Sequence, residues 1–135
     1  MARLRLLAVS ARLPAWAEAA CADYARRMPK GYEVERVAMK DESRLRTTLQ
    51  KGARLIALDE RGRQLTTAQF AKLLARPAAF VVGGADGLSA ATRSDADLVL
   101  GLSAMTLPHA LAQVILLEQI YRAATLLIGH PYHRE

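Results

Sequence analysis

The sequence holds one cysteine in 135 residues, so no disulfide can close within the chain and a cross-linked secreted scaffold is excluded. Cys21 sits among Ala17, Ala20 and Tyr24 at helical spacing, where a small buried side chain fits better than a nucleophile. No apolar run reaches the ~18 residues of a membrane span, because Glu118 and Arg122 interrupt the one stretch that approaches it. The N-terminal Leu4–Val9 run looks superficially like a signal peptide, but Arg12 cuts it short of a secretory core. These absences point to a cytoplasmic protein with no membrane partner. The chain also lacks G-x-G-x-x-G and Gly-Lys-Ser/Thr, which disfavours dinucleotide and nucleoside triphosphate binding. No linker, repeat or low-complexity segment divides it, and its length suits one domain, residues 1–135.

What is present is a globular composition, 52 % apolar and 24 % charged, with a net charge of +6. Residues 1–76 hold 16 Lys/Arg against 8 Asp/Glu, whereas residues 77–135 hold 3 against 5. All of the basic excess therefore lies in the first part. A polyanion docked beside a small-molecule site would use such a division; a solvated surface kept for solubility would show it too.

Apolar runs and turn residues alternate along the chain. Leu4–Val9, Leu55–Leu58, Ala79–Val82 and Leu98–Leu100 read as buried strands, and Tyr32–Met39 alternates as a strand nearer an edge. Helices are expected from Pro14 to Met28 (Trp16, Ala20 and Tyr24 at i, i+4), from Thr66 or Thr67 to Leu74, from Ser89 to Asp95, and from Ala110 to Ile128. Asp41–Lys51 is charged and only weakly helical, and Glu60-Arg-Gly62-Arg reads as a turn. Strands alternating with helices imply an α/β fold, a mostly parallel sheet with helices on both faces. Its ligand site belongs at the carboxyl ends of strands, where Leu58–Asp59, Gly83-Gly84-Ala-Asp86-Gly87 and the uncharged Leu102–Leu107 all fall.

Each feature there has a plainer reading. The glycine turn could simply connect a strand to a helix, and Leu102–Leu107 could be a buried connection rather than a cradle for a flat aromatic group. The last helix is apolar over more than half its circumference, from a dimer interface or from deep burial. His109, His130 and His133 all lie in this region. With no Cys pair or third close ligand, their spacing does not suit zinc, and no metal is expected. Acid–base chemistry or RNA contact suits them better.

Leu58-Asp59-Glu-Arg-Gly62, Val82-Gly83-Gly84-Ala-Asp-Gly87, Leu102-Ser-Ala-Met-Thr-Leu-Pro-His109, Leu116-Leu117-Glu118-Gln-Ile-Tyr121-Arg122-Ala and His130-Pro-Tyr-His-Arg-Glu135 together resemble the RlmH family. These are bacterial 23S rRNA pseudouridine N3-methyltransferases of the SPOUT class, whose C-terminal part forms a trefoil knot. The resemblance covers essentially the whole chain, including Val9 to Pro14-Ala-Trp16 and Tyr24 to Pro29. It implies a SPOUT methyltransferase fold and an S-adenosyl-L-methionine site at Leu58, Gly83, Leu102, Ser103, Ala104, Met105, Thr106 and Leu107. It further implies a homodimer whose pocket is completed by the partner chain, acting on 23S rRNA in the assembled ribosome. His133 would be the base that takes the N3 proton, or would order a water that does. Arg134 would hold phosphate or the developing anion, and Tyr132 would stack on or position the uracil. The tail could instead be an RNA clamp with no proton-transfer role. Another RNA target or a non-catalytic ribosome-binding module are the rival functions. The Tyr132-His-Arg134 tail argues against the first, and the intact Leu102–Leu107 turn against the second. The sequence departs from the family between Met39 and Arg54, a segment shorter than usual, which bears on ribosome docking rather than on the pocket.

Overall fold

A computed structural model describes residues 3–9 and 12–134; Ser10, Ala11 and Glu135, which belong to the quoted family motifs, lie outside the described residues. Five strands form one parallel sheet in the order β2-β1-β4-β3-β5. They are β1 (Leu4–Val9), β2 (Val34–Met39), β3 (Arg54–Gln64), β4 (Ala78–Val82) and β5 (Leu98–Gly101). β4 lies between β1 and β3 and is buried along its whole length. A parallel strand covered on both faces has no solvent side to mark by alternation, which is why it reads as a continuous apolar run. β2 is an edge strand, and its outward Glu35 pairs with Arg5 of β1 at 2.7 Å.

The two faces are covered unequally. On one, Leu4, Leu6, Ile56, Phe80 and Leu100 pack against α1 (Ala15–Arg27), α3 (Thr67–Ala71, continued by a 3₁₀ turn to Ala75) and α5 (His109–Leu127). On the other, Leu7, Val9, Leu55, Ala57, Ala79 and Val81 meet the short α2 (Leu45–Thr48), Leu88, and Ala96 just after α4 (Ala90–Asp95). α5 is long and apolar enough to cross a membrane by length and composition, but 44 % of that span is buried. Leu116, Leu117, Ile120, Ala123 and Ala124 are each 0 % exposed, so much of the helix's excess apolar surface is core.

Thr66 caps α3 in a capping box with Gln69, and Ser89 caps α4 by accepting from the Thr92 amide. Two local expectations are corrected. The i, i+4 line from Trp16 is not the buried face of α1: Ala17 and Cys21 are fully buried while Trp16 is 57 % exposed. Nor is Glu60–Arg63 a simple turn. β3 leaves its ladder after Leu58, and the chain returns to pair again with β5 through Arg63 with Leu100 and Gln64 with Gly101. Two glycines permit this close return. A Cβ at Gly62 would stand 2.5 Å from the Leu100 carbonyl carbon, and one at Gly101 would stand 2.6 Å from the Gly62 oxygen. Charged residues and a glycine signal a turn locally, and only the long-range fit to β5 makes the segment a bulge.

Candidate active site

The bulge, the glycine turn and the connection from β5 to α5 enclose a cavity of about 800 Å³ at the carboxyl ends of β3, β4 and β5. That volume lies within the range of cofactor pockets. Leu58 and Asp59–Arg61 form one wall, Val82–Leu88 the second, and Leu102, Ser103 and Met105–His109 the third. The walls are joined by polar contacts. The Arg93 guanidinium from α4 stands 3.3 Å from the Asp59 carboxylate and donates to the Leu88 carbonyl. Thr106 Oγ1 donates to Glu60 Oε2 at 3.2 Å, and Ser103 Oγ accepts from the Met105 amide at 2.9 Å, fixing the third turn.

The second wall requires a glycine where it starts. A Cβ on Gly83 would stand 2.6 Å from the Gly87 carbonyl carbon, so the turn folds back on its first residue too tightly for any side chain. The turn is also closed by the Gly87 amide, which donates to the Gly84 carbonyl at 3.0 Å.

Of the eight residues expected to hold a cofactor, seven line this cavity: Leu58, Gly83, Leu102, Ser103, Met105, Thr106 and Leu107. Ala104 lies on the same turn but not in the lining. Asp59, expected at this strand end, lines it as well, and so do Glu60, Arg61 and Arg93, which were not foreseen as site residues. Asp59 and Glu60 stood next to Leu58 in a recognisable motif, whereas nothing local to Arg93 marks it.

The tail lies elsewhere. Tyr132 and His133 pack on the last turns of α5, whereas His109 begins that helix and lines the cavity. The tail's anchor, Glu118, lies roughly 14 Å of helix axis beyond His109, and neither His130 nor His133 lines the cavity, so the three histidines do not gather. Glu118 organises the tail: its carboxylate accepts from Tyr132 Oη at 2.9 Å and from Arg122 at 2.8 and 3.0 Å. The Tyr132 ring stands edge-on to Tyr121 at 4.7 Å, with the Arg122 guanidinium 4.8 Å from its centre. Burial, reinforced by the hydrogen bond to Glu118, pushes the Tyr132 hydroxyl up to about 12, so at neutral pH it is a donor and not a base. Arg122 Nη1 stands 3.2 Å from His133 Nδ1. A guanidinium only donates, so Nδ1 is the acceptor and a neutral ring carries its proton on Nε2. Arg134 is exposed.

Glu118→Ala removes the acceptor shared by Tyr132 and Arg122. Leaving such groups unpaired costs about 1–3 kcal/mol. The expected result is a melting temperature lower by several degrees, with loss of the near-ultraviolet tyrosine signal of the packed tail. An unchanged melting curve would mean the tail is not fastened there.

The family model described as "Predicted SPOUT methyltransferase" matches residues 2–133. The chain is 45 % identical to "Ribosomal RNA large subunit methyltransferase H" of Leptothrix cholodnii and 43 % identical to the protein of that name from Laribacter hongkongensis. Each alignment covers 98 % of this chain and 99 % of the relative. These alignments run to 155 positions against the 135 residues here, so the chain is the shorter partner. Among solved structures, a probable methylase family protein from Haemophilus influenzae superposes with TM-score 0.66 at 12 % identity, over 99 % of this chain and 71 % of that one. A SpoU methyltransferase from Streptomyces viridochromogenes, in complex with AdoMet, superposes with TM-score 0.60 at 17 % identity, over 94 % and 58 %. At such identities the structural likeness speaks for the fold, and it is the expected one. Matched from end to end by the family model and by relatives above 40 % identity, the chain belongs to the SPOUT methyltransferase family.

Proposed function

We propose that this protein methylates N3 of a pseudouridine in 23S rRNA on the assembled ribosome, using S-adenosyl-L-methionine, and that residues 1–135 form one domain with that task. The observation that carries the reading is the convergence of Leu58, Gly83 and the Leu102–Leu107 turn on one cavity. Its lining suits the cofactor: apolar side chains for the adenine, a glycine against which a ligand can lie closely, and Asp59 and Glu60 for hydroxyl or ammonium groups. The names of the relatives and the AdoMet in the structural neighbour support the same choice.

S-adenosylmethionine, when bound, supplies an electrophilic methyl and a neutral thioether leaving group. What the chain must add is orientation and an acceptor for the N3 proton. Tyr132 is held as a donor by Glu118 and positions the base rather than deprotonating it. His133 takes the proton once its ring has left Arg122, or holds a water that does. Arg134, exposed at the end of the tail, is placed to meet phosphate or the uracil anion.

The separation of tail from cavity on one α5 supports a homodimer. No described tail residue lines its own chain's cavity, and a partner's tail can complete it. Trp16, Leu126, Leu127 and Ile128 are large apolar side chains still exposed in the single chain, and they give such a contact apolar surface to cover. The exposed basic residues of the first part, Arg26, Arg27, Lys30, Arg44, Arg46 and Lys51, suit rRNA, whereas Arg54 is half-buried and donates to the Leu73 carbonyl; the protein works in the cytoplasm.

Two measurements test the reading. Calorimetric titration of S-adenosylmethionine into the purified protein, with and without ribosomes, should show binding; silence in both removes the enzyme. Methyl transfer to ribosomes lacking the mark, mapped by mass spectrometry, should place one methyl on a pseudouridine of 23S rRNA. A ribose or guanine product would assign another SPOUT specificity.

A further inference from the structure

The connection between β2 and β3 grips α4 at both ends, and one grip falls beside the glycine turn of the pocket. At the N-terminal end, the Glu42 carboxylate accepts from the Ser89 amide at 3.1 Å, the Ser89 hydroxyl at 2.8 Å, and the Thr92 hydroxyl. At the C-terminal end, Arg46 Nε meets Asp95 Oδ2 at 2.6 Å. The two grips differ in setting. Thr92 is buried and Glu42 half-buried, whereas the Arg46 and Asp95 side chains are 50 % and 55 % exposed. An ion pair so open to water adds little. A carboxylate that gathers three donors at the start of a helix, close to its positive end, holds more firmly.

Ser89 follows Leu88, whose carbonyl takes the Arg93 guanidinium that also reaches Asp59. Glu42, though it touches no part of the cavity, thus fastens the segment joining the second wall to the first. We propose that Glu42 is a positioning residue for the cofactor pocket, holding the Gly83–Leu88 turn in its binding form through Ser89 and Thr92. The inference rests on the cofactor lying against that turn.

The protonation state of Glu42 agrees. Burial works against its charge, but the hydrogen bonds from Thr92 and Ser89 outweigh it and hold the carboxyl below its ordinary 4.5. The grip is therefore complete above that value and is lost as the pH falls through the lowered one.

Glu42→Gln keeps the size of the side chain but removes the charge that gathers these donors and sets an N–H₂ against the Ser89 amide, which also reaches the second carboxylate oxygen at 3.2 Å. Asp95→Asn weakens the other grip on the same helix and serves as the comparison. With S-adenosylmethionine as titrant, well below the melting temperature of each variant, Glu42→Gln should raise Kd about tenfold and Asp95→Asn less than about twofold. A purely structural role would lower the melting temperature and leave Kd alone. Equal effects of the two variants, or none from Glu42→Gln, overturn the proposal. Hydrogen exchange without cofactor supplies the independent reading: residues 83–89 should exchange faster in Glu42→Gln than in Asp95→Asn. If the wild-type protein binds no cofactor, the reading of the pocket fails, and exchange still decides whether Glu42 holds the turn. Unchanged exchange there overturns the proposal whatever the cofactor does.

Discussion

Gly83→Ala should weaken cofactor binding by roughly fivefold to more than a hundredfold while leaving affinity for the ribosome intact. The added methyl carbon would stand 2.6 Å from the Gly87 carbonyl carbon and 2.8 Å from its oxygen. Both are backbone atoms of the same turn, so no side chain can rotate away, and the turn itself must open. Overpacking of this kind costs about 1–3 kcal/mol, equivalent to roughly fivefold to more than a hundredfold in binding if the displaced turn is the one that holds the ligand. Calorimetry with S-adenosylmethionine measures the first effect and ribosome cosedimentation the second. Retained affinity for the cofactor would mean that the ligand does not lie against the second wall.

His133→Ala should lower the rate of methyl transfer by about 10²–10⁴, the range of general-base catalysis, with rRNA affinity within about twofold. The imidazole lies against Arg122, which donates to its Nδ1, so a basic nitrogen becomes available only when ring and guanidinium separate. Single-turnover methylation of unmodified ribosomes measures the chemical step, and filter binding of the same ribosomes measures affinity. If affinity falls while the chemical step keeps its rate, the tail is a clamp for RNA and the proton goes elsewhere. The packing of Tyr132 between Tyr121 and Arg122 fits either role, so the ratio of the two effects decides.

The sheet was legible because its strands carry their own signature. Val82 closes an apolar run, Gly83 starts a turn and Ser89 caps the next helix, each within a few residues of the one before. The positions of Leu58 and Leu102 at strand ends came from the same punctuation. Contacts between distant segments were not legible. Nothing near Glu60 says that the chain will come back onto Leu100, and nothing near Arg93 says that it will reach Asp59. Trp16 misled because a large aromatic at i, i+4 spacing normally marks a buried face, whereas here the small residues Ala17 and Cys21 let α1 lie close and leave the tryptophan outside. The family motifs placed the tail residues in sequence, but their seat beside Glu118, outside the cavity lining, is a property of the fold.

The double pairing of β3 with β5, before and after the bulge, also bears on how the protein assembles. All strand pairs are parallel, so none can form by a hairpin, and each waits for a crossover to bring distant residues together. β5 lies beside β3 at the edge of the sheet, and the Asp59–Gly62 bulge closes over its Leu100–Gly101 end. Residues far apart in the chain must therefore be ordered before the last strand gains its partners, which makes folding slow. The same interlocking must come undone before β5 can leave, and it should give the folded protein a long lifetime beyond what its equilibrium stability would require.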